Sequence, residues 1–249
     1  MGKPNKPILI LKTGEPLSPV KAAFGDFDEW IVRGLGLSLD VVELVAAYQG
    51  EALPDPETLG GIVVTGSPGM VTAHEPWSEA AAVWLARLVK DDAMPVIGIC
   101  YGHQLIAYGL GGEVGANPNG RETGSVELRF LPPAGDASLA PLFEGGQYPA
   151  QMSHLESVLR APEGAEVLAE TDQEPNAVLR FGPRQWGVQF HPEFDREIMR
   201  GYVAARYEIL KREGSDPDVM DEAAVETPVS SRILQRFAEL VEKARSERD

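Results

Sequence analysis

A chain of 249 residues, 43% of them hydrophobic and 24% charged, has the make-up of a globular protein with a substantial core. Its 38 acidic against 22 basic residues leave a formal charge of −16, which repels phosphate backbones and anionic lipid surfaces and argues against nucleic-acid and membrane partners. A single cysteine forms no internal disulfide and no Cys/His cluster has zinc spacing, so no structural metal is expected.

The opening stretch MGKPNKPILILKTG has an apolar run of only five residues, too short for a signal peptide or a membrane span. Lys6 stands where a myristoylation signal carries Ser or Thr, and a cytoplasmic protein is the expectation. Pro7 to Lys12 reads as a buried strand, followed by the turn-rich loop TGEPLSP. VKAAFGDFDEWIVRGLGL places Phe24, Phe27, Ile31 and Leu35 at near-helical spacing, and LSLDVVELVA reads as a second strand. After the loop 50–59, Gly60 to Thr65 is a third strand that delivers the turn Gly66-Ser67-Pro68-Gly69. Pro76 opens a second helix carrying Ala80, Val83, Trp84 and Leu88.

The texture then changes. Residues 113–116 and 124–131 read as short strands around NPNGRET, and 132–146 as loop with one helical turn. Gly164 to Thr171, Ala177 to Phe181 and Gln185 to Phe190 follow at short intervals, the spacing of antiparallel strands. The end is helical over 194–212 and, past the break GSDPD, over Ser230 to Arg245. Together these elements predict an α/β fold: an open, mainly parallel central sheet with helices on both faces, a small antiparallel strand region and extra C-terminal helices. One domain is expected over 1–249, with a core at about 7–193 and a helical extension at 194–249.

The chemistry gathers at MPVIGICYGHQLIAYGLGG, residues 94–112. Pro95 to Ile99 reads as a buried strand and Tyr101 to Leu110 as a helix stopped by Gly111-Gly112, so Cys100 falls on the turn between them. Gly98 and Gly102 flank it as G-x-C-x-G, which lets neighbouring backbone crowd a nucleophile elbow. The helix N-terminus favours thiolate over thiol. A lone intracellular cysteine is more often a small buried hydrophobe, and what tips the reading is a set of partners. Of the four histidines, His191 ends the strand QWGVQF in GVQFHPEF; Pro192 stiffens the turn, and Glu193 can set its carboxylate against the imidazole.

GICYGHQ and GVQFHPEF together resemble the signature motifs of the class I glutamine amidotransferases. CYGHQ with MSHLESV at 152–158 is closest to the amidotransferase domain of GMP synthase and its free-standing relatives. The resemblance spans about residues 7–193 in motif order. It implies Cys100 as nucleophile, His191 as base and acid, Glu193 as orienting carboxylate, and an oxyanion hole from the backbone N–H groups of Gly66 and Tyr101. It also implies substrate contacts from Gln104 and from Met152, Ser153 and His154, the last three through backbone, with His154 given no proton-transfer role. Arg121 to Gly124 resembles the family's REYG-like stretch, in which Glu122 is read as structural; His103 is read as packing and His74 as a loop residue. No cofactor is implied.

The implied activity is that of a free-standing glutaminase cleaving the γ-carboxamide through a Cys100 γ-glutamyl thioester, with a separate synthetase subunit as ammonia acceptor. The same triad would serve a γ-glutamyl peptidase acting on glutathione-like compounds, and an intact Cys100, His191 and Glu193 argues against a non-catalytic regulatory protein. The chain lacks the SGG-type phosphate loop of an ATP-pyrophosphatase domain and any G-x-x-x-x-G-K-[ST] pattern.

Overall fold

The computed structural model describes residues 6–131 and 146–247. In the first strand, β1 (Ile8–Lys12), Ile8 and Ile10 enter one apolar core, Leu9 and Leu11 another. A strand buried on both faces needs cover on both. β3 (Gly61–Val64) divides the same way, with Val63 on the first side and Ile62 and Val64 on the second. In β4 (Val96–Ile99), Ile97 and Ile99 take the first side and Val96 the second.

These strands lie in one nine-stranded sheet. Its first half is parallel, in the order β2 (Val42–Ala46), β1, β3, β4, β11 (Gln185–Val188). The same sheet continues antiparallel through β10 (Val178–Gly182), β9 (Glu166–Glu170), β6 (Glu122–Phe130) and β7 (Gln147–His154). β5 (Glu113–Ala116) and β8 (Glu156–Arg160) form a separate antiparallel pair. Thus the antiparallel strands mostly extend the main sheet, as the architecture allows when hairpins replace helical crossovers.

α3 (Pro76–Lys90) and α4 (Tyr101–Gly109) bury Leu85, Leu105 and Ile106 on one face. The other face is covered by α1 (Ser18–Phe24), α2 (Phe27–Leu35), α5 (Arg196–Ala205) and α8 (Pro228–Ser246). In α8, Ile233, Leu234, Phe237 and Val241 lie fully inside the same core as Trp30 and Ile97. A Cβ on Gly34 of α2 would stand 2.5 Å from Leu234 Cδ1, so the two helices are in close contact.

Several boundaries differ from the sequence expectation. The helical stretch across 20–37 is broken at Gly25, where φ is 94°, and Asp26 restarts it as α2 by accepting a 2.7 Å hydrogen bond from the Phe27 N–H. The 194–212 stretch divides at Arg206 into α5 and α6 (Tyr207–Arg212). The break at GSDPD contains a further helix, α7 (Pro217–Glu222), with Asp216 as its cap and Pro217 in its first turn. β7 and β8 were unexpected, because QYPAQMSH has no clean alternation and contains a proline. The loop expected over 132–146 lies, except for Gly146, outside the described residues. Among the described residues no helix is long and apolar enough to cross a membrane.

Candidate active site

The C-terminal ends of β3, β4 and β11 lie side by side, which is where open α/β sheets place their ligand crevices. Thr65-Gly66 leaves β3, Cys100 leaves β4, and His191 follows β11. The elbow is strained: Cys100 has φ 49° and ψ −100°, a conformation that a non-glycine residue adopts only when its surroundings hold it there. What holds it is tight packing. Its N–H donates to the Val188 carbonyl at 2.8 Å, and its own carbonyl accepts from the Gln104 N–H at 3.1 Å. A Cβ on Gly98 would lie 2.5 Å from the Gly102 backbone, and one on Gly102 would lie 2.6 Å from the Val64 carbonyl oxygen.

His191 is buried, and its Nδ1 donates to Glu193 Oε1 at 2.7 Å. Its ring stacks on Phe194 with centroids 4.0 Å apart, and its N–H donates to the Gln151 carbonyl at 2.8 Å. Burial alone would push the Cys100 thiol up. The His191 charge and hydrogen bond, with the His154 charge further off, outweigh it and hold the thiol below its ordinary value. Burial would likewise lower His191, but the Glu193 and Cys100 charges raise it. Charge and hydrogen bonding thus favour a thiolate beside an imidazolium whose Nδ1 meets the Glu193 carboxylate.

The Gly66 turn is clamped to the end of β1. Thr13 Oγ1 stands 2.9 Å from the Thr65 carbonyl and 3.0 Å from the Gly66 carbonyl, and the Thr13 N–H donates to Thr65 Oγ1 at 3.0 Å. This fixes the Thr65–Gly66 peptide, whose N–H lies on the edge opposite its carbonyl. A Cβ on Gly66 would be 2.8 Å from His191 Cε1 and 3.7 Å from Cys100 Cβ, so only glycine leaves the imidazole its place. Tyr101 is the first residue of α4, where a backbone N–H has no partner within the helix. Its hydroxyl pairs with Ser78 Oγ at 2.7 Å, away from the elbow.

A narrow pocket opens beside Cys100 and takes in Gln104, Ser153, His154 and Arg206. Gln104 Nε2 donates to the Glu156 carbonyl at 2.6 Å and to Gln189 Oε1 at 3.0 Å, which fixes its amide. Met152 does not line this pocket; its side chain is fully buried in the core, and it enters the neighbourhood as backbone of β7 opposite Gly124. His154 is held at both nitrogens, by the Glu156 carbonyl at 2.9 Å and by Glu122 Oε2 at 3.0 Å. A carbonyl on one nitrogen and a carboxylate on the other favour the doubly protonated ring. Burial disfavours that charge, but Glu122 and the Cys100 charge outweigh it and raise the pKa. Glu122 in turn accepts from Thr171 Oγ1 at 2.7 Å. His103 is wholly buried and neutral, pushed down to about 3 by burial. His74 meets Glu79 Oε1 at 2.7 Å on the surface and does not line the pocket beside Cys100.

Five neighbours escaped the sequence reading. Phe194, which stacks on the His191 ring, stood in plain sight beside Glu193 in HPEF. Thr13 and Thr65 end adjacent parallel strands, a signal that appears once β1 and β3 are paired. Glu156, whose carboxylate accepts from the Val71 N–H at 2.9 Å and from Thr72, has no local signal. Nor has Arg206, which follows a helix end far along the chain.

A cysteine on a strand-to-helix elbow, a histidine–carboxylate pair at a neighbouring strand end and a glycine turn between them define a cysteine hydrolase built on an α/β sheet. The family described as "Glutamine amidotransferase class-I" matches residues 25–205, and the chain belongs to that family of enzymes. It is 36% identical over 181 residues to GMP synthase [glutamine-hydrolyzing] of Aeropyrum pernix, a match covering 70% of this chain and 32% of that one. The chain thus spans about a third of the length of that relative. It is also 30% identical over 187 residues to gamma-glutamyl peptidase 5 of Arabidopsis thaliana, covering 72% of each chain. A solved structure of a glutamine amidotransferase from Thermotoga maritima superposes with a TM-score of 0.70 at 21% identity, covering 96% of this chain and 98% of that one. At that identity the likeness speaks for the fold.

Proposed function

We propose that the protein is a free-standing glutaminase that converts glutamine to glutamate and ammonia through a Cys100 γ-glutamyl thioester. The observation that carries this reading is the meeting of Cys100 with the buried His191–Glu193 pair at adjacent strand ends. The Cys100 thiolate adds to the γ-carbonyl carbon, and the resulting oxyanion lies between the N–H groups of Gly66 and Tyr101. His191 passes its proton to the departing ammonia, leaving the thioester. It then takes a proton from water, which attacks the thioester and releases glutamate and the thiolate. Glu193 holds the ring in position throughout. Gln104 and the backbone of Met152, Ser153 and His154 hold the amino-acid end of the substrate. These steps use side chains and backbone alone. The ammonia would pass to a separate synthetase subunit in the cytoplasm.

A second reading is favoured by one observation: the similarity to a γ-glutamyl peptidase covers nearly three quarters of both chains, whereas the GMP synthase relative is about three times longer than the matched part. In that reading the leaving group is the amine of a γ-glutamyl peptide. Incubating the protein with L-glutamine and, separately, with glutathione and other γ-glutamyl peptides separates the two. Glutamate with ammonia from glutamine, lost in Cys100→Ala, supports the glutaminase; preferential peptide cleavage supports the peptidase; Cys100-independent release of either product would sink both.

A further inference from the structure

Arg206 sits at the break between α5 and α6 and lines the pocket beside Cys100. Its Nη1 donates to Ser153 Oγ at 2.7 Å, and its guanidinium carbon lies 5.6 Å from the centre of the Tyr202 ring. Burial, and the Arg121 charge nearby, press its pKa below the ordinary arginine value. In so acidic a protein a shielded arginine ordinarily finds a carboxylate. Arg121, Arg129, Arg180, Arg184, Arg236 and Arg245 all do. Among the described residues Arg206 is the one arginine shielded from solvent that has no carboxylate within ion-pair distance. The Tyr202, Cys100 and Glu213 charges favour the guanidinium without outweighing burial and Arg121, and a partly buried cation with no carboxylate in contact stays costly unless an anion arrives to meet it.

We propose that Arg206 receives the α-carboxylate of the γ-glutamyl unit and thereby sets the specificity of the site for substrates that are free amino acids at that end. This rests on the hydrolase reading above. Ser153 Oγ occupies one N–H of the guanidinium, leaving the others for a carboxylate, which arginine receives in a paired geometry. Arg206 shares its pocket with Gln104, Ser153 and His154, whereas His191, which must face the leaving nitrogen, does not line it. The anion that meets Arg206 therefore belongs to the half of the substrate retained in the thioester.

The test compares L-glutamine with its α-carboxamide, which is neutral at that end, as substrates of the unaltered protein, Arg206→Lys and Arg206→Gln. Loss of one charge-assisted contact predicts that Arg206→Gln lowers kcat/KM for glutamine about 10- to 100-fold, mainly through KM, with a much smaller change for the α-carboxamide. Arg206→Lys falls between. Equal losses on both substrates would make Arg206 a structural residue and overturn the proposal. Failure of the unaltered protein to turn over any γ-glutamyl compound would instead count against the hydrolase reading. In that event the charge dependence is read from alkylation of Cys100 by 6-diazo-5-oxo-L-norleucine, which carries the same α-carboxylate. The proposal requires Arg206→Gln to slow this reagent several-fold more than neutral iodoacetamide, which reports any effect of the Arg206 charge on the Cys100 thiolate itself. Equal slowing of both reagents overturns it.

Discussion

A buried thiol is a poor acid unless a cation stands beside it, and Cys100 has His191 at bonding distance with His154 behind. The sign of the effect is testable. Because the thiol is held low by His191, the pH profile of iodoacetamide alkylation should have its midpoint on the acid side of the ordinary cysteine value. His191→Gln, which keeps a hydrogen-bonding group but removes the charge, should move the midpoint upward; an unmoved midpoint would show that the thiolate owes nothing to His191. Glu193 meets the His191 ring and does not line the pocket beside Cys100. Glu193→Gln should lower kcat by about 10²-fold or more with little change in KM or in thermal stability, as measured by steady-state kinetics and melting curves. His191 and Glu193 were legible because they stand two residues apart in one motif. Arg206 was not, since its entry into the pocket beside Cys100 depends on which elements pack there, a property of space and not of sequence.

At the scale of elements, three strand ends and one helix start define the site, and glycines let them approach. Two glycine substitutions should behave differently. Gly98→Ala puts a methyl 2.5 Å from the Gly102 backbone, which cannot yield without moving α4 off β4. It should cost about 3 kcal/mol or more in urea unfolding. Gly66→Ala instead meets the edge of the His191 ring at 2.8 Å, a side chain that can shift. Here the fold should persist while turnover falls, read by denaturation and kinetics on the same preparation. β1, β3 and β4 were legible as short apolar runs, because burial on both faces removes polar residues. β7 and β8 were not: they carry site residues and mixed side chains, and their pairing comes from partners in β6 and β5 far along the chain.

Across the whole molecule, the C-terminal helices are part of the core and of the pocket. Phe237 of α8 is fully buried against the face that α2 covers, and Phe237→Ala should destabilise the protein by about 3–5 kcal/mol in a denaturant titration. The effect should reach the site through Trp30 and Phe194, whose rings stand edge to face at 5.5 Å, and through Phe194 to His191. A loss confined to α8, with the rest of the chain melting as before, would contradict this picture. The charge of −16 belongs to the molecule as a whole, whereas the pocket beside Cys100 is lined by Arg121, Arg206, His154 and Glu156.

The sequence by itself determined the alternation of strand and helix, the elbow at Cys100 and the pairing of His191 with Glu193, because each rests on local chemistry within a few residues. Tertiary structure decided which strand ends adjoin, where the helices break, that Thr13 clamps the Gly66 turn, and that an arginine from the far end of the chain enters the pocket. These depend on contacts between residues tens to hundreds of positions apart. No local pattern records them, since what selects them is the joint packing of both sheet faces.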